Sequence, residues 1–511
     1  MITIVNSCAF IGIDGVKIET EVDISKGVPS FEIVGLPDTA VKESKERVRS
    51  ALKNAKIPFP PARYTVNLAP ASIKKEGALF DFPIAAGILS SMRLIPQEAL
   101  HNKMVIGELS LNGEIRSVSG VLAAAICAKQ SGMDGIFVPA SNAAEAAVIE
   151  GLSVYPCENL TSFMLHCTGE QPILPFDMEE TFSNAVQTAM VDFAEVKGQE
   201  AAKRALEIAA AGGHNCLMVG SPGTGKTMLA KRLPTILPDL TFEESLEVTK
   251  IHSISGMLPG NTPLMCQRPF RSPHHTISAN GMSGGGRVPR PGEVSLAHHG
   301  VLFLDELPEF HKDTLEVLRQ PLEDSKITIS RVQSTLTYPC NIMLITAMNP
   351  CRCGFLNDPH HECTCSAHQV QQYMAKISGP LLDRIDIHIE VNPIQYSDLE
   401  NKNTPSVSSA EMKERVCKAR EIQAKRFASD GIFTNAQMHE RHIAKYCVLG
   451  EAENNMLKKA FERLGLSARA YNRILKVART IADLDNSENI LKSHLAEAIN
   501  YRSMDRKLKN G

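Results

Sequence analysis

The eight residues Gly220-Ser221-Pro222-Gly223-Thr224-Gly225-Lys226-Thr227 constrain the fold more than any other stretch of this 511-residue chain. The pattern Gly-x-x-x-x-Gly-Lys-Thr works only between a strand and a helix, where glycines let successive backbone N–H groups turn toward phosphate oxygens at a helix N-terminus. The required strand precedes it as the apolar run Cys216-Leu217-Met218-Val219, reached from an Ala-rich helix over 197–211 through Gly212-Gly213. In such a loop Lys226 supplies a point charge to the phosphates and Thr227 a hydroxyl for Mg²⁺, so ATP with Mg²⁺ is the expected ligand.

Two more strands complete the chemistry. Val301-Leu302-Phe303-Leu304 reads as a buried parallel strand running into Asp305 and Glu306; Asp305 is expected to hold Mg²⁺ through water and Glu306 to act as the base. The strand Ile342-Met343-Leu344-Ile345-Thr346-Ala347 ends near Asn349, whose amide can orient the attacking water, and Pro350 stops it. In this order the parts resemble the AAA+ superfamily. That resemblance implies two arginine roles. Leu381-Leu382-Asp383-Arg384-Ile385-Asp386 looks like the arginine-finger segment, so Arg384 would reach the ATP of a neighbouring subunit. Ser467-Ala468-Arg469-Ala470-Tyr471-Asn472-Arg473 resembles the second sensor, with Arg469 preferred over Arg473.

At roughly 150 residues per domain, the length predicts two to four units. The expected fold is multidomain α/β. Residues 1–168 alternate β-rich runs with helices as an α+β domain, 169–190 read as a linker with Pro172 and Pro175, 191–396 as the ATPase core, and 397–511 as a helical lid. Composition, 43% hydrophobic and 22% charged, is that of an ordinary soluble protein. The N-terminus does not read as a signal peptide and no apolar run reaches the roughly 18 residues of a membrane span, so no membrane partner and a cytoplasmic location are expected. Thirteen cysteines, an odd number, argue for free thiols or metal ligands over a disulfide framework.

The net charge of −3 gives no global attraction to a polyanion, so any nucleic-acid contact needs a local basic patch. One exists. Between Glu247 and Glu293 there is no acidic residue, but there are Lys250, Arg268, Arg271, Arg287 and Arg290. This is where the AAA+ branch of magnesium chelatases and MCM helicases inserts a hairpin. A second hairpin is expected over Lys326–Thr337, with Arg331 near its tip. Aimed at the axis of a ring, two such hairpins per subunit would line a positive channel for DNA; the alternative is an insert that only folds over the ring face. The paired histidines at 274–275 and 298–299 are expected on extended backbone, pointing apart, which favours loop hydrogen bonding or DNA contact over metal ligation.

The strings Arg268-Pro269-Phe270-Arg271-Ser272-Pro273-His274-His275 and Pro289-Arg290-Pro291-Gly292-Glu293-Val294-Ser295-Leu296-Ala297-His298-His299-Gly300 resemble the YifB/ComM family of magnesium-chelatase-like ATPases, as do Ala347–Cys351 and Ser378–Arg384. The resemblance implies a homo-hexameric DNA motor acting on single-stranded or branched DNA, a branch-migration helicase for homologous recombination in natural transformation. The competing class is an ATPase that remodels proteins or serves a chelatase without moving along DNA.

Gly107–Leu122 resembles the Lon protease domain, whose chemistry needs a Ser nucleophile and a Lys. Aligned through Lys75-Glu76-Gly77, the Ser position holds Leu79, or Phe80 with a one-residue shift, and the Lys position holds Leu122. Protease activity is therefore not expected. Finally, Cys351-Arg352-Cys353 and Cys363-Thr364-Cys365 form two Cys-x-Cys pairs, whose four thiolates could enclose a structural Zn²⁺; free thiols are the alternative.

Overall fold

Residues 2–177, 191–259, 262–286, 289–331, 334–393 and 407–504 are described by the structure, a computed structural model. They form two units. Of the described residues, the first comprises those up to 177 together with those between Phe242 and Met265, and the second all the others.

In the first unit, period-2 alternation of buried and exposed residues makes strands of β1 (Thr3–Ile11) and β2 (Asp14–Ser25), paired antiparallel from Thr3↔Val22 to Ile11↔Asp14. With β3 (Ser30–Val34), β4 (Arg63–Ala69), β5 (Lys103–Val105), β8 (Gly135–Pro139) and β9 (Ser153–Cys157) they build a seven-stranded sheet in the order β3-β4-β2-β1-β5-β8-β9. The short β6 (Glu108–Leu109) and β7 (Ile115–Arg116) pair separately. Helix Asp81–Ser91 buries all but its last residue, as expected for a helix with no polar face. Its Asp81 is fully buried and is held by both arms of the Arg47 guanidinium. Helices Thr39–Asn54 and Val121–Gln130 join Asp81–Ser91 in the alternation of strands and helices.

The segment Phe242–Met265 departs from the expected organisation. Its helix Phe242–Ile254 lies by sequence inside the ATPase core, but it packs in the first unit. There the Ser253 hydroxyl accepts from Gly120 N at 2.9 Å and bonds the buried carboxylate of Glu145. Lys250, expected in the basic patch, is paired with Asp14 at 2.7 Å.

The second unit is built on a parallel sheet. Its strands are β10 (Cys216–Val219), β11 (Phe270–Arg271), β14 (Val301–Leu304), β17 (Met343–Met348) and β18 (Ile387–Glu390), in the order β11-β14-β17-β10-β18. Every neighbouring pair is parallel. Because β10, β14 and β17 are buried along their whole length, they read as continuous apolar runs instead of alternating ones. Outside this sheet stand two ribbons, β12 (Gly284–Gly285) with β13 (Arg290–Pro291) and β15 (Lys326–Arg331) with β16 (Ser334–Pro339).

The C-terminal helices Ser409–Arg426, Glu440–Tyr446, Glu451–Leu464, Ala468–Leu484 and Lys492–Asn500 share a core with the sheet. Ile474, Leu475, Val477 and Ile481 line the inner face of Ala468–Leu484, each worth about 1.5–3 kcal/mol when fully buried. No helix among the described residues is long and apolar enough to cross a membrane.

Candidate nucleotide site

Parallel strands end at one edge of a sheet, and ligands of open α/β sheets bind there. The phosphate loop leaves β10, Asp305 follows β14 directly, and Asn349 follows β17, so the three motifs meet at that edge. Gly220 has to be glycine: a Cβ on it would stand 2.3 Å from the carbonyl oxygen of Val391.

Lys226, the first residue of helix Lys226–Arg232, folds back over the loop. Its ammonium donates to the carbonyls of Gly220 at 2.7 Å and Ser221 at 2.9 Å, and to Asn349 Oδ1 at 3.3 Å. Burial pulls this ammonium below its ordinary value, with the charge of Asp305 opposing. A polyanion placed in the loop would favour the charged form in the same way as Asp305 and replace the carbonyls as partner. Thr227 donates its hydroxyl to Asp305 Oδ2 at 2.6 Å, while Asp305 Oδ1 accepts the Glu306 amide at 2.9 Å. A hydroxyl and a carboxylate side by side are hard-oxygen donors of the kind Mg²⁺ takes.

Glu306 adopts a left-handed backbone, φ 53°, and its side chain is exposed. His275 Nδ1 lies 3.4 Å from Glu306 Oε2, a neighbour that sequence reasoning missed. The histidine pairs do not point apart as expected. The rings of His274 and His275 are 4.1 Å apart and those of His298 and His299 are 3.9 Å apart, because each pair sits in a turn and not on extended backbone.

The arginines fall into different environments. Arg384 is not a free finger within its own chain. It is 8% exposed, donates to Pro380 O at 2.7 Å and pairs with Glu323. Arg473 is bound to the buried Asp386, which also contacts His214 at 3.3 Å. Burial alone would raise the Asp386 carboxyl, but the Arg473 charge and the His214 hydrogen bond hold it far below the usual carboxylate range. Arg469, the preferred second sensor, is exposed in the first turn of Ala468–Leu484, and no ion pair to it is found among the described residues.

Of the expected DNA contacts, two need correction. Arg268 donates to the carbonyls of Pro238, His299 and Asp239, and Arg271 makes a two-pronged pair with Glu293, 2.7 Å on each arm, so both guanidinium groups are committed within the fold. Arg290 is exposed on β13, Arg331 ends β15, and Arg287 lies outside the described residues. The two ribbons touch: Tyr338 donates its hydroxyl to Pro289 O at 2.9 Å, and Ile329 lies against Gly284.

The two Cys-x-Cys pairs converge. Cys351, Cys353 and Cys363 have sulfurs 3.3, 3.7 and 3.5 Å apart, and Cys365 joins them with every sulfur within 4.8 Å of the others. In the first unit Leu79, Phe80 and Leu122 are buried.

Residues 192–399 match the family described as magnesium chelatase, subunit ChlI; residues 20–142 match subunit ChlI of Mg-chelatase, and residues 406–502 its C-terminal region. The chain is 42% identical over 510 residues to the competence protein ComM of Haemophilus influenzae, covering 99% of this chain and 98% of that one. It is also 42% identical over 507 residues to the uncharacterized protein YifB of Escherichia coli, with 99% and 98% covered. A shorter similarity, 30% identity over 149 residues, links 26% of this chain to 26% of Lon protease 2 of Bacillus subtilis. Identity sustained over nearly the full length of both relatives shows that the chain belongs to the YifB/ComM family of magnesium-chelatase-like ATPases.

Proposed function

We propose that this chain is the subunit of a hexameric, ATP-driven DNA motor, a branch-migration helicase working on single-stranded or forked DNA. The observation that carries the reading is the pair of touching ribbons, with Arg290 and Arg331 on them, built into the same unit as the phosphate loop. ATP with Mg²⁺ supplies the scissile phosphoanhydride. Lys226 neutralises phosphate charge, Thr227 and Asp305 hold the cation, Asn349 and Glu306 orient and deprotonate water, and His275 steadies Glu306. Arg384, released from Glu323, completes the site of the adjoining subunit, while Arg469 reaches the phosphates from the lid. Arg331 and Arg290 grip strand phosphates, a contact that carries affinity and salt sensitivity without reading sequence. The relative named as a competence protein suggests recombination of incoming DNA as the setting.

The test is steady-state ATP turnover by the full-length protein at moderate salt, with and without forked DNA. The rate rises several-fold with DNA if the chain is a DNA motor. An unchanged rate with DNA, together with stimulation by a protein, would transfer the reading to protein remodelling.

A further inference from the structure

We propose that Cys351, Cys353, Cys363 and Cys365 bind one Zn²⁺ as a closed tetrathiolate, and that this ion braces the wall of the nucleotide pocket. The inference rests on the reading of Gly220–Thr227 as the ATP site and adds a metal that controls it.

The sulfur geometry is that of a single-ion site. Tetrahedral bonds of about 2.3 Å place neighbouring sulfurs about 3.8 Å apart, and the sulfurs observed here lie 3.3 to 3.7 Å apart, with all four inside 4.8 Å. A disulfide would bring two of them to about 2.05 Å, and all four are free. An iron–sulfur cluster ligates its cysteines through separate irons and would spread them further. Backbone amides point at the sulfurs as well: Phe355 and Thr364 at Cys353, Leu356 at Cys351, and Cys365 at Cys363. Amide donors of this kind suit sulfurs that carry negative charge and only accept, as metal-bound thiolates do. Four sulfur ligands leave no open position, so the ion is structural.

The loop these cysteines close lies on the phosphate loop at three points. Asn349, two residues before Cys351, touches the Lys226 ammonium at 3.3 Å. Gly354, at φ +91°, lies so close to Pro222 that a Cβ would stand 2.7 Å from its ring. Asp358, midway between the two Cys pairs, takes a hydrogen bond from the Ser221 hydroxyl and is further held by the amides of His360 and His361 at 2.9 and 3.0 Å. Joining both pairs through one ion removes most of the freedom of residues 351–365 and so fixes these contacts before ATP arrives.

The full-length protein, purified with reductant and without chelator, is assayed for bound metal and for a fluorescent ATP analogue. About one zinc per chain is expected, as a four-cysteine site implies, and mercurial modification of the thiols releases it. Stripped protein binds the analogue roughly tenfold more weakly, the scale on which supporting contacts behind a ligand set act, and recovers on zinc addition. Cobalt in place of zinc gives the intense absorption of a tetrahedral sulfur site. Cys353→Ser with Cys363→Ser loses the metal. Asp358→Asn keeps the metal and still loses affinity for the analogue, which separates the contact with Ser221 from loss of folding. Wild-type protein free of zinc, or carrying iron, would overturn the metal assignment. Zinc removal, or Asp358→Asn, without change in affinity would overturn the bracing. Undiminished binding by Lys226→Ala would instead strike the ATP-site reading and leave the metal site standing.

Discussion

Glu306 stands at a left-handed turn two residues after the buried strand β14, and its exposed carboxylate lies beside His275. Its replacement by Gln should keep ATP affinity and lower turnover by about 10²-fold or more, the contribution of a positioned general base. His275, 3.4 Å away, acts through Glu306; His275→Ala should reduce kcat roughly tenfold with KM for ATP unchanged, measured by steady-state hydrolysis. A rise in KM with intact kcat would make His275 an ordinary loop residue.

Asp386 makes the clearest pH prediction. Its folded-state carboxyl is held far below the usual range, so its contribution is complete above the unfolded value near 3.9 and is lost as pH falls below about 4. His214, whose imidazole burial keeps neutral, acts in the same direction but earlier: the unfolded ring takes up a proton below about pH 6.5 and the folded one resists it. Denaturation midpoints should therefore begin to fall below about pH 6.5 and fall further below about 4. Asp386→Asn, which removes the buried carboxylate that holds Arg473 and His214, should lower stability measured by urea titration at neutral pH.

At the scale of elements, Arg331 at the end of β15 and Arg271 on β11 are two kinds of arginine that the sequence alone treats alike. Arg331 should on replacement by Ala weaken binding to all DNA sequences and reduce the slope of log affinity against log salt by about 1. Arg271→Ala should leave that slope unchanged and lower stability, because its guanidinium is spent on Glu293. Equal slope changes in both variants would reverse the distinction.

The phosphate loop, the Asp-Glu strand and Asn349 were legible in the sequence because each is a local pattern whose neighbours dictate strand and helix. The first unit's strands β1 to β4 showed as short β-rich runs between helical stretches. Partners distant in sequence left no such mark: Glu323 for Arg384, Glu293 for Arg271, Glu145 for Ser253. Nor did the sequence mark helix Phe242–Ile254 as part of the first unit, since a helix's own periodicity does not say which sheet it packs against.

At the scale of the whole molecule, the C-terminal helices and the parallel sheet share one hydrophobic core, so neither could shift without rearranging packed side chains such as Ile474 and Ile481. With a net charge of −3, the proposed DNA contact rests on local basic groups such as the exposed Arg290. The central claim is that each ATP is cleaved with help from the next subunit's Arg384. Mixing two inactive variants tests it: Lys226→Ala, which keeps Arg384 but cannot hold ATP, and Arg384→Ala, which holds ATP but lacks the finger. Each alone should hydrolyse ATP on the order of 10³-fold more slowly than the unaltered protein. The account predicts that the mixed assembly regains turnover at interfaces pairing an intact loop with an intact finger; a mixture as inactive as its parts would contradict it.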